Sequence, residues 1–228
     1  MRVRNILEFA QRGLEHLLQI IFPFECISCG IGCDFNVAMC GVCANELRVP
    51  PSLEIEVTKK VSVKVHAAGF YEGPLRELVL KKHYKDLSAS RLLANVMFQK
   101  IDFEKLFGGD IVLVPVPLHW TRWASRGFNQ ATMMAKFLSK PTGIPVAKRL
   151  VRRVRKTAFQ TDVPGDERGK NVSGAFELKP GAREKLAGKH VVILDDLCTT
   201  GSTLKFVARE ILRCHPEKIS AVVACRAS

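Results

Sequence analysis

The sequence predicts an α/β protein built on a mostly parallel sheet flanked by helices, with a small cysteine-rich module at its N-terminal end. Three observations carry this. Strand-like apolar runs alternate with helical patterns from about residue 61 to residue 224, the order expected of a parallel sheet with helical crossovers. One run, Ile111 to Val116, is continuously apolar, as in a strand covered on both faces. Five of the eight cysteines crowd into Cys26 to Cys43.

Taken in order, residues 3–22 carry Val3, Ile6, Leu7, Ala10, Leu14, Leu17, Leu18 and Ile21 at three- and four-residue steps, and Pro23 follows. The spacing predicts an amphipathic helix whose apolar face packs on the rest of the protein. After the cysteine cluster, Pro50-Pro51 marks a boundary. The division expected is therefore a helix over 1–25, a metal ribbon over 26–55 and a catalytic-type domain over 60–228. Val61, Val63, Val65 and Ala67 alternate with polar residues and predict a strand. Gly73-Pro74 opens a helix, and another is expected from Ser88 to Phe107. The Ile111–Val116 strand precedes a helix from Asn129 to Leu138. Residues 148–171 are polar, basic and rich in turn formers, and a connection this long is commonly functional. A short strand at Ala175–Leu178, a strand at Val191–Leu194, a helix from Ser202 to Cys214 and a strand at Ile219–Ala224 complete the pattern.

Hydrophobic residues make up 47% and charged residues 25%, enough apolar material for a core. The formal charge of +13 favours anionic partners such as phosphates, nucleic acid or an anionic membrane surface, without choosing among them. No segment approaches the ~20 apolar residues that span a bilayer. The N-terminal stretch is broken by Glu8, Arg12, Glu15 and His16 and does not read as a signal peptide. The expected location is cytoplasmic, with reduced thiols.

Cys26-x-x-Cys29 and Cys40-x-x-Cys43 each present two thiolates to one ion, and two such pairs close a tetrahedral Cys₄ site. A closed site leaves no position for water, so the zinc expected there is structural. Cys33 has no evident place in a four-ligand set.

The stretch Val191-Val192-Ile193-Leu194-Asp195-Asp196 followed by Thr199-Thr200-Gly201-Ser202-Thr203 delivers two acids and a hydroxyl-rich turn where a strand meets a helix. Ligands of open α/β sheets bind at that end of the strands. Thr199, Thr200, Gly201, Ser202 and Thr203 can surround a phosphate with N–H and O–H donors at a helix N-terminus. Asp195 and Asp196 can accept hydrogen bonds from ribose hydroxyls. The ligand read from these residues is a phosphorylated ribose.

With those residues the chain resembles the ComF family, whose members join an N-terminal Cys₄ ribbon to a type I phosphoribosyltransferase-like domain. Further marks are Val114-Pro115-Val116-Pro117-Leu118, Arg126-Gly127-Phe128-Asn129-Gln130-Ala131, Arg155-Lys156-Thr157 with Gln160, Arg168, and Asn171-Val172 with Gly174-Ala175-Phe176. The resemblance implies a type I phosphoribosyltransferase-like parallel sheet flanked by helices and a ligand, phosphoribosyl pyrophosphate (PRPP), carried with Mg²⁺. It implies that Asp195, Asp196, Arg155, Lys156 and Arg168 serve catalysis. It places the pyrophosphate in the loop Pro117 to Arg126, with Pro117, Leu118, His119 and Arg126. It makes the basic segment, with Arg152 and Arg153, the loop that closes over PRPP. Leu197, where the family usually has Val, and Cys198 inside the ligand loop are departures from its pattern.

Three readings follow. In the first the protein is an enzyme that transfers phosphoribose from PRPP to a nitrogen acceptor, linked to DNA uptake in natural competence. In the second it binds PRPP and single-stranded DNA without catalysis. In the third, residues 3–22 dock a competence helicase or a membrane partner, which adds a peripheral place at the inner membrane. Trp120 and Trp123 can stack on a base or pack their loop. His83-Tyr84-Lys85 carries no assigned role.

Overall fold

The structure is a computed structural model. It describes residues 24–33, 37–80, 87–118, 127–154 and 174–228. The helix expected over residues 3–22 lies outside them, as do His83-Tyr84-Lys85. The described residues fall into two compact units, one ending at Leu47 and the other beginning at Arg48.

The first unit is small. Strands β1 (Phe24–Glu25) and β2 (Gly32–Cys33) pair antiparallel, with Phe24 opposite Cys33 and Glu25 opposite Gly32. Helix α1 (Gly41–Glu46) follows. Among the described residues of this unit, Cys26, Ala38 and Met39 are the buried apolar ones.

The second unit is built on a five-stranded sheet in the order β3-β4-β9-β8-β5. Its strands are β3 (Leu53–Thr58), β4 (Val61–Phe70), β5 (Ile111–Pro115), β8 (His190–Cys198) and β9 (Lys218–Arg226). The pairs β4–β9, β9–β8 and β8–β5 are parallel, and β3 joins β4 antiparallel at one edge. Leu53–Thr58 is thus a strand of this sheet. The alternation of Leu53, Ile55 and Val57 with exposed Glu54 and Glu56 is the signature of a half-buried strand.

Helices cover both faces. On one face, α3 (Leu87–Lys100) packs against β4 and β9, α5 (Gln130–Thr142) packs against β5 and β8, and the two helices pack on each other. Helix α2 (Gly73–Leu80) packs on α3. On the other, α7 (Ser202–Leu212) packs against β3 and β8 and against the hairpin of β6 (Val151–Arg153) and β7 (Phe176–Leu178). Leu204, Val207, Ala208 and Ile211 of α7 meet Val112, Val114, Val191, Ile193, Ala221 and Val223 of the sheet. Each fully buried aliphatic side chain here contributes about 1.5–3 kcal/mol.

The helix expected over Ser88–Phe107 is two. It stops at Lys100, and α4 (Phe103–Leu106) begins after Asp102, whose carboxylate accepts from the Lys105 N–H at 2.9 Å. An aspartate that caps a new turn ends the old one. The short strand near Ala175–Leu178 pairs with Val151–Arg153 in its own hairpin and not in the main sheet. The small helix α6 (Ala182–Leu186) follows it.

Candidate functional site

Strand β8 runs four residues beyond Leu194, because β9 pairs with it further than β5 does. Asp195 lies opposite Val223, Leu197 opposite Cys225 and Cys198 opposite Arg226. The ladder to β5 ends where Pro115 meets Leu194 and the Val116 N–H donates to the Leu194 carbonyl at 2.9 Å. Pro117 has no N–H to continue it. One edge of β8 is therefore released from β5 at the two acids, and the carboxyl end of the sheet opens there.

Asp195 and Asp196 are partly buried at this opening. The Asp195 carboxylate accepts the Asp196 N–H at 2.9 Å, which fixes its orientation. Thr199 and Thr200 lead into Gly201, the N-cap of α7, which has φ +75° and no side chain to cap the helix. The Thr200 and Ser202 hydroxyls lie 2.9 Å apart. The loop thus offers hydroxyls beside the positive end of an eleven-residue helix, a setting suited to an anion. Gly201 is required twice over. Its left-handed conformation disfavours any side chain, and a Cβ there would overlap Ile55 Cδ1 and lie 3.0 Å from Ile55 Cγ1. Ile55 of β3 seats the turn from below.

Opposite, the Asn129 side-chain amide donates to the Val116 carbonyl at 2.8 Å. It ties the start of α5 to the end of β5 and brackets the loop between them. Pro117 and Leu118 lie at the mouth of that loop, half-buried. His119, Trp120, Trp123 and Arg126 lie outside the described residues, as do Arg155, Lys156 and Arg168. Arg152 and Arg153 are described. Arg152 pairs with Glu177 at 2.7 Å, and the Arg153 guanidinium packs 5.4 Å from the Phe176 ring centroid. Both belong to the β6–β7 hairpin.

Cys198 is buried, and burial pushes its thiol up to about 11, with the Asp195 charge adding to the rise and Arg226 opposing it. Burial likewise pushes Cys225 to about 12, with Asp196 contributing. Both are protonated thiols at neutral pH, which removes them as nucleophiles. Arg226 belongs to no motif in the sequence and reaches this end of the sheet through β9, opposite Cys198. Its guanidinium donates to the Pro51 carbonyl at 2.7 Å and lies 5.9 Å from the Phe70 ring, on which Arg48 also rests at 4.9 Å.

In the first unit, the sulfurs of Cys26, Cys29, Cys40 and Cys43 lie within 4.8 Å of one another. Cys29 and Cys40 are 3.8 Å apart. A tetrahedron with Zn–S bonds of ~2.3 Å has edges of about 3.8 Å, so the donor set fits a zinc ion. The first knuckle is shaped by the Cys26 N–H donating to Ile31 O at 2.8 Å and the Gly30 N–H donating to Cys26 O at 2.9 Å, with Gly30 at φ +75°. Burial would raise the Cys26 thiol, but the N–H groups of Cys29, Cys40 and Ser28 outweigh it and bring it down to about 6. The Ser28 side chain favours the Cys43 thiolate, yet Cys29 and Cys40 beside it push Cys43 up to about 12. Four thiols converging on one point compete for protons, and a divalent cation at the centre relieves all four. Cys33 stands outside the set, with its Sγ 3.6 Å from the Ile31 carbonyl.

Known proteins resemble this chain in two ways. The phosphoribosyl transferase domain family matches residues 125–228. Competence protein F of Haemophilus influenzae is 29% identical over 210 residues, covering 90% of this chain and 86% of that protein. The DNA utilization protein YhgH of Salmonella typhimurium is 30% identical over 205 residues, covering 88% and 83%. Competence protein ComFC of Bacillus subtilis is 36% identical over 115 residues, covering 50% and 42%.

Proposed function

The chain belongs to the ComF family, and we propose that it binds PRPP with Mg²⁺ at the β8–α7 junction and transfers its phosphoribosyl group to a nitrogen acceptor. The observation that carries this reading is the released end of β8. Two partly buried acids lie there, ahead of a helix N-terminus whose cap is a glycine in the left-handed conformation. Asp195 and Asp196 accept the ribose hydroxyls, and Thr199, Thr200, Gly201, Ser202 and Thr203 hold the 5′-phosphate. Family resemblance assigns the pyrophosphate to the loop that starts at Pro117 and Leu118 and carries His119 and Arg126.

Mg²⁺ bound with the diphosphate would supply charge neutralisation on the leaving group, with Asp195 and Asp196 the acids beside it. Departure of pyrophosphate leaves positive charge at the sugar carbon. In this reading Asp195 and Asp196 stabilise it, while Arg155, Lys156 and Arg168 compensate the departing anion. Fixing the ribose at both ends supplies the positioning part of the acceleration. Zinc on Cys26, Cys29, Cys40 and Cys43 is structural.

Release of pyrophosphate from PRPP across a panel of purine, pyrimidine and amine acceptors tests transfer. Turnover with any acceptor, lost in Asp195→Asn, supports it; PRPP binding without turnover on every acceptor leaves the second reading. In that second reading the protein holds PRPP and single-stranded DNA without catalysis, in a competence process. The +13 charge and the competence and DNA-utilization names of its relatives favour it. DNA affinity that falls steeply with salt is its expected mark. A helicase or membrane partner for residues 3–22 remains the third proposal.

A further inference from the structure

We propose that the groove between α7 and β3 is a second subsite, which takes a nucleotide joined to the first through its 5′-phosphate. This rests on the reading that residues 199–203 hold a 5′-phosphate, and it extends that reading to what the phosphate is attached to. The groove has a volume of about 540 Å³, within the range of about 300–1,000 Å³ typical of small-molecule sites. Thr200 and Ser202 line both the phosphate loop and the groove. A substituent on a phosphate held by the loop therefore enters it directly.

The groove's chemistry suits a nucleotide. Ser202, Lys205, Phe206 and Arg209 form its helical wall, at spacings that bring them to one face of α7. Arg209 is held by the Val57 carbonyl at 3.0 Å and lies 5.4 Å from the Phe206 ring centroid. A half-buried aromatic ring beside a fixed guanidinium offers a planar, weakly polar surface on which a heterocycle can stack. Lys205, without an ion-pair partner among the described residues, stands one turn from the phosphate loop and can meet the charge of a linking phosphate. The facing wall is Leu53 to Glu56 of the edge strand β3. Leu53 and Ile55 supply apolar contact. Because β3 is an edge strand, backbone N–H and C=O groups on its open side can pair with base and sugar groups.

An internal phosphodiester carries one negative charge, whereas a terminal phosphate carries nearly two. An extended ligand therefore gives the loop less charge to hold, and any gain in its affinity comes from the groove. Two kinds of ligand share this chemistry. One is an oligonucleotide with 3′–5′ links; the other is a dinucleotide with a 5′–5′ pyrophosphate link.

Calorimetry on the full chain with ribose 5-phosphate, ADP-ribose and a two-residue deoxyadenylate separates the outcomes. At least one extended ligand should bind about tenfold more tightly than ribose 5-phosphate, the size of one base stack, and the one that gains identifies the link. Phe206→Leu should reduce that gain while leaving ribose 5-phosphate binding unchanged. Extended ligands that bind no better while ribose 5-phosphate binds would overturn the subsite, as would a gain that survives Phe206→Leu. If ribose 5-phosphate and PRPP both fail to bind, the phosphate-loop reading itself falls.

Discussion

Gly201 and the two cysteines beside the acids are where single residues decide most. Gly201 combines a φ of +75° with a Cβ direction blocked by Ile55. Gly201→Ala should lower stability by about 1–2 kcal/mol from the left-handed conformation alone, with further loss from displaced Ile55. Chemical denaturation checks this, and an unchanged midpoint would contradict the packing described. Cys198 and Cys225 carry a pH prediction. Their thiols are raised to about 11 and about 12, above the ~8.5 of a free thiol. Folding therefore favours their protonated forms. That contribution is fully present below about pH 8.5 and is lost as pH rises towards 11–12. Stability should fall from about pH 9 upward, and Cys198→Ala with Cys225→Ala should flatten the fall. An identical alkaline profile in the double variant would refute the assignment. The acids, the threonines and Gly201 were all readable from sequence, because a strand that delivers them into a helix start is a local pattern. Arg226 and Ile55 were not readable, because their proximity to that loop comes from strand pairing far along the chain.

At the level of elements, the site is a junction between strands of unequal reach. Strand β8 was legible as Val191–Leu194, but its extension to Cys198 depends on β9 continuing beside it while β5 stops at a proline. Pairing partners set strand ends, and a sequence window does not contain the partner. The same applies to Leu53–Thr58, whose alternation is clear once its neighbour β4 is known. The division at Asp102 was a local signal, an aspartate before a new turn, overridden by the apolar pattern on either side. Asn129 joins α5 to the end of β5 at 2.8 Å. Asn129→Ala should cost about 1 kcal/mol and weaken competition by pyrophosphate more than competition by ribose 5-phosphate, because it loosens only the β5 side of the site. Equal loss for both ligands, measured by displacement of PRPP, would count against that division of labour.

The whole molecule comprises two units with separate sources of order. From Arg48 onward a layered core of aliphatic side chains suffices. Before it, the described residues bury little besides Cys26, Ala38 and Met39, so the four-cysteine site should supply the folding energy. Removal of metal with a chelator should abolish structure in the cysteine module while the larger unit keeps its cooperative melt. Metal analysis should give about one zinc per chain, and a metal-free protein that retains the ordered cysteine module would contradict a structural role. Among the described residues no helix is long and apolar enough to cross a membrane. The formal charge of +13 favours anionic partners.

Titration calorimetry with PRPP and Mg²⁺ tests most directly whether the β8–α7 junction holds a phosphoribosyl group. The wild-type chain should bind with about one site. Asp195→Asn with Asp196→Asn should abolish or reduce the affinity at least tenfold, the loss of charge-assisted hydrogen bonds to the ribose, with the melting profile retained. Absence of heat from a folded wild-type chain, or undiminished binding in the double variant, would contradict the account.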